Sequence, residues 1–267
     1  MNVIFQDFID DLNKRNQTKI VAVIGKLGIG KSYTALRLCE ILSEGKFNLD
    51  KVVFSSRDFL QLINSGTLVQ GDCILWDEMS LDQYSRDFMS MQNKMINHVL
   101  TIFRPMNIGL FFTAPALSFV DIGVQRLLSN IVQPFSINHA KQINWYKWKN
   151  VEIDPIKGII RTPFPRVKDS EGATSTVKKM WLNKSKLADT YEEKRKAFAI
   201  EKSKHFEKQI LNEDKRIRQR NMTDEDIIEI GNKEGTDWKN TRKVMARFSL
   251  ERHRVYRIQE KVVGGVA

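Results

Sequence analysis

The stretch Gly25-Lys26-Leu27-Gly28-Ile29-Gly30-Lys31-Ser32 fits G-x-x-x-x-G-K-[ST] at every fixed position, between the apolar run Ile20–Ile24 and the helix-like segment Tyr33–Leu42. The pattern works only where a buried strand ends in a loop whose backbone N–H groups turn inward, followed by a helix whose positive N-terminus faces the same point. Strand, loop and helix stand here in that order. The segment from Gly25 through Tyr33 is therefore read as a cradle for the phosphates of ATP. Gly25, Gly28 and Gly30 admit anionic oxygen close to the backbone, Lys31 reaches the β- and γ-phosphates, and the Ser32 hydroxyl holds Mg²⁺.

A second half-site follows at Cys73-Ile74-Leu75-Trp76-Asp77-Glu78. Four apolar residues in a row suit a strand buried on both faces of a parallel sheet, and the acidic pair falls at its carboxyl edge, where ligands bind in such sheets. Asp77 is expected to hold Mg²⁺. Glu78 is expected to orient and deprotonate a water in line with the γ-phosphate, which points to hydrolysis. The expected class is α/β, a P-loop NTPase with a mostly parallel sheet, an additional strand and a catalytic glutamate, plus a basic helical extension at the C-terminus.

Between these motifs Val52–Phe54 reads as a short strand, and Arg57–Ile63 as a helix with Phe59, Leu60 and Ile63 on one face. After Glu78, an amphipathic helix is expected over Gln92–Phe103, ended by Pro105; Ile108–Thr113 then reads as a buried strand stopped by Ala114-Pro115. Thr113, its last polar residue, is either a γ-phosphate sensor or a hydrogen-bonding partner for a nearby loop.

The order GKLGIGKS, CILWDE, Tyr84-Ser85-Arg86, Gln92-Asn93-Lys94, Thr101-Ile102-Phe103-Arg104, Leu110-Phe111-Phe112-Thr113 and Leu117-Ser118-Phe119-Val120-Asp121 resembles the zonula occludens toxin-like P-loop proteins. These lie near the FtsK and HerA branch of DNA-pumping ATPases. The resemblance covers about residues 18–168. It implies an ATP-driven motor on double-stranded DNA, assembled as a homo-oligomeric ring, with a polar sensor on the strand between the phosphate-loop and acidic strands. Members of that branch commonly carry Gln at the sensor position, where this chain has Thr113. Phage members of the toxin-like group carry a membrane anchor after the ATPase domain.

No such anchor is expected in this sequence. The longest apolar stretch, around Ile108–Val124, is broken by Thr113, Pro115, Ser118 and Asp121 and falls short of the roughly 20 residues a bilayer core requires. The N-terminus lacks the basic region of a signal peptide, so a cytoplasmic location is expected. Cys39 and Cys73 read as reduced core residues, and the four histidines show no ligand spacing.

Gln142–Lys149 alternates Ile143, Trp145 and Lys147 against Asn144, Tyr146 and Trp148. A hairpin is expected from Val151 to Phe164 about Asp154-Pro155 and Gly158. Its aromatic neighbours Trp145, Tyr146 and Trp148 either stack on bases or cover a sheet face. The expected organisation is an ATPase domain over 1–168, a linker over 169–180, a charged helical arm over 181–220 and a basic helix-turn-helix-like segment over 221–267. Charge follows that division. The net charge is +11, and residues 151–267 hold 27 Lys and Arg against 19 Asp and Glu. A basic balance of this size favours nucleic acid as partner without specifying sequence.

In the last segment Thr223 and Asp226 make a capping box, Ile227, Ile228 and Ile230 give a helix stopped by Gly231, and a longer basic helix is expected from about Asp237. Lys239, Arg242, Lys243, Arg247 and Arg254 are candidates for DNA phosphates, the alternative being a helical lid or oligomer contact. Two arginines are candidates for a finger reaching a neighbouring subunit's γ-phosphate: Arg104 first, then Arg126, each of which equally well caps a helix C-terminus. Two functions stay open on the sequence: a ring motor that moves or packages DNA, and an ATP-controlled DNA-binding switch such as a loader or partition factor.

Overall fold

The computed structural model describes residues 3–79, 104–154, 156–165, 176–182, 185, 187–248 and 250–263. The helix expected over Gln92–Phe103, the segments 84–86 and 92–94 and most of the expected linker lie outside these residues, as does the side chain of Arg104. The chain divides into two units, Met1–Arg195 and Lys196–Ala267.

In the first unit, six strands and a seventh at the edge form one sheet: β1 (Lys19–Ile24), β2 (Val52–Val53), β3 (Cys73–Trp76), β4 (Gly109–Ala114), β5 (Asn130–Asn138), β6 (Ile143–Asn150) and β9 (Val177–Trp181). Their order is β2-β3-β4-β1-β5-β6-β9. The first five run parallel, and β6 and β9 join antiparallel. This is the mostly parallel α/β architecture expected, with β4 inserted between the phosphate-loop strand β1 and the acidic strand β3. The central strands are apolar throughout because both faces are covered. Alternation sends Ile20, Ala22, Ile74, Trp76, Leu110 and Phe112 to one face, where they pack with Phe59 of α3 (Ser56–Asn64) and Val124 of α4 (Ile122–Gln125). Phe59 stacks on Trp76 at 4.7 Å between ring centroids.

The opposite face is covered by α1 (Val3–Asn13) and α2 (Lys31–Leu42). Helix α1, which the sequence reading passed over, buries Ile4, Phe5, Phe8, Ile9 and Leu12. Its Phe8 meets Phe111 at 5.7 Å and Trp148 at 6.0 Å. That packing meets the second of the two readings, aromatics covering a sheet face: Tyr146 and Trp148 are buried in the core, and Trp145 is half-buried. The expected hairpin forms as β7 (Glu152–Ile153) with β8 (Ile160–Arg161), and Asp154 caps its turn by accepting from the backbone N–H groups of Ile156 and Lys157.

Residues 177–181, expected at the junction of linker and arm, are the edge strand β9 instead. Val177 to Trp181 pair with Lys147 to Ile143. The alternation of this stretch was hidden by its lysines. The charged helix α5 (Ala188–Asn221) accordingly starts at Ala188 rather than Trp181.

The second unit has its own small core, built from α6 (Asp224–Lys233), α7 (Thr241–Phe248) and α8 (Arg252–Val263) around Ile227, Trp238, Val244, Phe248, Leu250, Val255 and Ile258. The Thr223–Asp226 capping box forms. Gly231 does not stop α6, which runs on to Lys233; its missing Cβ makes room for Trp238, whose ring would lie 2.1 Å from one. The turn falls at Gly235, with φ +64°. The single longer basic helix expected from about Asp237 is two helices, α7 and α8, because Leu250 turns back into the core.

Candidate nucleotide site

Strand register assembles the acidic half of the site. Cys73 to Trp76 pair in parallel with Gly109 to Phe112, so the next step along both strands sets Asp77 beside Thr113. The Thr113 hydroxyl donates to Asp77 Oδ1 at 2.7 Å and accepts from the Glu78 backbone N–H at 2.8 Å. Both residues of the acidic pair are thus held by one buried side chain, which is the hydrogen-bonding role weighed for Thr113. Glu78 itself has φ +55°, a conformation that costs a non-glycine residue roughly 1–3 kcal/mol and persists where surrounding structure enforces it.

The phosphate loop closes the other side. Gly28 and Gly30 have φ +76° and +81°, and α2 starts directly at Lys31. Lys31 Nζ donates to the Lys26 carbonyl at 2.9 Å. Burial depresses its pKa, against the pull of Asp77 and Glu78, so the ammonium is poorly solvated and ready for an anionic partner. Beneath the loop, the cross-strand pair Ile137 and Asn144 forms a floor. Asn144 is fully buried, and its Nδ2 donates to the Ile29 carbonyl at 3.0 Å and to Thr34 Oγ1 at 2.9 Å.

A cavity of about 470 Å³ lies between these parts. Of the expected ATP-contacting residues, Leu27, Gly28, Gly30, Lys31, Ser32 and Tyr33 line it, together with Glu78 and Thr113. Gly25, Lys26 and Ile29 belong to the loop and do not line the cavity. Ala114, Pro115, Ile137, His139, Gln142, Leu182 and Arg195 complete the wall. Asp77 lies just behind, fully buried. Oxygen donors from Ser32 and Asp77 beside a phosphate loop suit Mg²⁺, a hard cation that keeps several waters and takes few protein ligands.

Helix α5 brings residues that sequence reading missed. Tyr191, fully buried, donates its hydroxyl to Asp77 Oδ2. Burial raises its pKa, and the Asp77 charge adds to the effect, so it stays a donor. Tyr33 donates to Glu192 Oε1 at 2.8 Å; burial, then that bond, pushes its pKa up to about 12. Arg195 Nη2 donates to Glu78 Oε1 at 3.0 Å, and its Nε lies 3.8 Å from Asp77 Oδ2. Tyr191 and Arg195 are i,i+4 neighbours, but in so charged a helix that spacing stands out from nothing. Asn144 left a clearer trace, as the polar member of the face it shares with Tyr146 and Trp148.

The remaining candidates stand elsewhere. Arg126 ends α4, exposed, with its guanidinium near Gly158, and is not among the cavity residues. The backbone of Arg104 begins a short 3-10 turn. In the second unit, Arg254 donates to Asp224 Oδ1 at 3.0 Å and to the Met222 carbonyl, and Arg247 pairs with Glu234. Arg254 is thus half-buried in its pairing, whereas Arg247 remains exposed. Lys239, Arg242 and Lys243 are exposed.

No family model matches the sequence, and no curated protein matches it significantly. Among solved structures, the N-terminal domain of zonular occludens toxin from Neisseria meningitidis is 14% identical, with 56% of this chain and 96% of that one covered and a TM-score of 0.36. The DNA-packaging ATPase from Sulfolobus Turreted Icosahedral Virus is 15% identical over 55% of this chain and 97% of its own, with a TM-score of 0.33. The genome packaging NTPase from Sulfolobus turreted icosahedral virus 2, in complex with ATP-gammaS, is 13% identical over 58% and 100%, with a TM-score of 0.31. Likeness of this degree settles neither activity nor partner. The strand order and the phosphate loop together give the chain the P-loop NTPase fold, in its additional-strand form.

Proposed function

We propose that this chain hydrolyses ATP and uses the energy to move or package double-stranded DNA, as a ring of like copies. The observation that carries the hydrolytic part is Thr113 bonding both Asp77 and the Glu78 backbone at the cavity that Lys31 also lines. In this reading Lys31 and the loop amides hold the β- and γ-phosphates, and Ser32 and Asp77 hold Mg²⁺, which neutralises charge on the phosphate oxygens. Glu78 accepts a proton from a water whose oxygen bonds the γ-phosphorus as the bond to the β–γ bridging oxygen breaks, releasing ADP and phosphate.

The DNA part is supported by the net charge of +11 and by the exposed Lys239, Arg242 and Lys243. Phosphate contacts of this kind bind without reading sequence. Among the described residues no helix is long and apolar enough to cross a membrane. The steady-state ATPase rate, with and without double-stranded DNA, tests the proposal. Strong stimulation, accompanied by displacement of a strand-bound obstacle, supports a motor. DNA binding that depends on ATP, with no stimulated turnover or displacement, supports a switch such as a loader instead.

A further inference from the structure

We infer that Arg195 is the arginine of the nucleotide site, acting within its own chain and exchanging Glu78 for the γ-phosphate. The inference rests on the proposed hydrolysis and replaces Arg104 and Arg126 as first candidate. Its guanidinium lines the cavity, bonds Glu78 Oε1 and approaches Asp77. In this arrangement the guanidinium occupies Oε1 of Glu78, the carboxylate that has to reach the attacking water.

Two meanings are open to a cation on a catalytic acid: a plug that has to leave, or a resident group that changes partner. The attachment of α5 decides between them. Tyr191 is fully buried, stacked on Phe54 at 6.2 Å and edge-on to Tyr33 at 6.0 Å. Lys194 Nζ donates to the carbonyls of Leu49 and Val52 at 2.7 and 2.8 Å, and Glu192 accepts from Tyr33. Removing the helix would break all of these contacts at once, whereas the Arg195 side chain is 37% exposed and its guanidinium is held, among the described residues, only by ion pairs, with Glu78, with Asp77 and, at 3.6 Å, with Glu192 of its own helix. The residue is thus fixed at its Cα and movable at its charge.

A γ-phosphate entering the loop presents more negative charge than the Glu78 carboxylate it would replace as the bonded partner, and matches the guanidinium fork. Arg195 then leaves Glu78 for the phosphate, which frees Glu78 to take a proton from water and places a positive charge where negative charge builds. ADP lacks the γ-phosphate and leaves Glu78 paired. One exchange couples recognition of ATP to activation of the base.

The experiment uses full-length protein and three readouts. With ATPγS and ADP titrated against the parent and Arg195→Ala, ADP affinity is expected to stay within about threefold while the preference for ATPγS falls about tenfold or more. ATP turnover by Arg195→Ala is expected to drop by roughly 10³ or more, with Arg195→Lys intermediate. Mixing Arg195→Ala with Lys31→Ala is expected to restore nothing, since phosphate loop and arginine belong to one chain. An unchanged ATPγS preference, turnover equal to or above the parent, or recovery in the mixture overturns the inference. A parent that binds ATPγS and ADP without turnover refutes the hydrolytic reading alone, and the affinity ratio then decides the partner exchange.

Discussion

Gly30→Ala should damage the phosphate loop by an amount the structure allows to be worked out. Gly30 sits at φ +81°, where a Cβ costs roughly 1–2 kcal/mol by backbone sterics alone. The added carbon would lie 2.7 Å from Asn144 Nδ2 and 3.1 Å from Ile137 Cδ1. Asn144 cannot retreat cheaply, because it is fully buried and held by bonds to Ile29 and Thr34. Losing both bonds adds roughly 0.5–1.5 kcal/mol each, so the total is about 2–5 kcal/mol against a global stability of order 5–15. Urea unfolding of parent, Gly30→Ala, Asn144→Ala and the double variant separates the parts. Asn144→Ala alone should be cheaper than two hydrogen bonds suggest, since Asn144 Oδ1 is buried without a partner among the described residues. In the double variant the contact with Asn144 is gone, and of the Gly30→Ala cost the backbone part and the 3.1 Å contact with Ile137 remain, giving a favourable coupling of roughly 1–3 kcal/mol. A Gly30→Ala cost within about 0.5 kcal/mol, or strict additivity in the double variant, would refute the account of the loop floor.

Three further outcomes follow from the same geometry. Lys31→Ala should abolish ATP binding by removing the loop's ammonium; fluorescence titration with an ATP analogue checks this, and parent-like affinity contradicts it. Asp224 is mostly buried, and although burial opposes it, bonds from Arg254 and Arg257 hold its carboxyl below the usual 3.8. A depressed folded value means its contribution is full above 3.8 and is lost as pH falls through that lower value, so Asp224→Asn should cost the second unit roughly 1–2 kcal/mol at pH 7 and flatten its acid sensitivity. Circular dichroism against pH reads both, and an unchanged acid limb contradicts the assignment. Replacing Lys239, Arg242 and Lys243 together by Glu should weaken DNA binding and reduce the slope of log affinity against log salt by about 0.9 per lost contact, with basal turnover intact; equal affinity at matched salt returns this surface to another role.

The parallel sheet was legible in the sequence because its strands are apolar on both faces and end in chemistry-bearing residues: Ile20–Ile24 before the loop, Cys73–Trp76 before Asp77, Leu110–Phe112 before Thr113. The antiparallel edge was not, because β9 carries Lys178 and Lys179 on an edge where lysine is tolerated, and its alternation is lost among charges. Within the site, the loop and acidic pair are local patterns, whereas Asn144, Tyr191 and Arg195 arrive from strands and helices more than a hundred residues away. Spacing along the chain carries no trace of such meetings. The end of α6 was misplaced for a similar reason: Gly231 marks close packing against Trp238, and only the fold distinguishes that use of glycine from a helix stop.

The central claim is that Glu78 activates water against a phosphate held by Lys31 and its loop. Measuring ATP affinity and steady-state phosphate release side by side for the parent and Glu78→Gln tests it most directly. The account predicts release by the parent, with Glu78→Gln binding ATP within a few-fold of the parent while its turnover falls by at least about 10². Phosphate release by Glu78→Gln at the parent rate would contradict it.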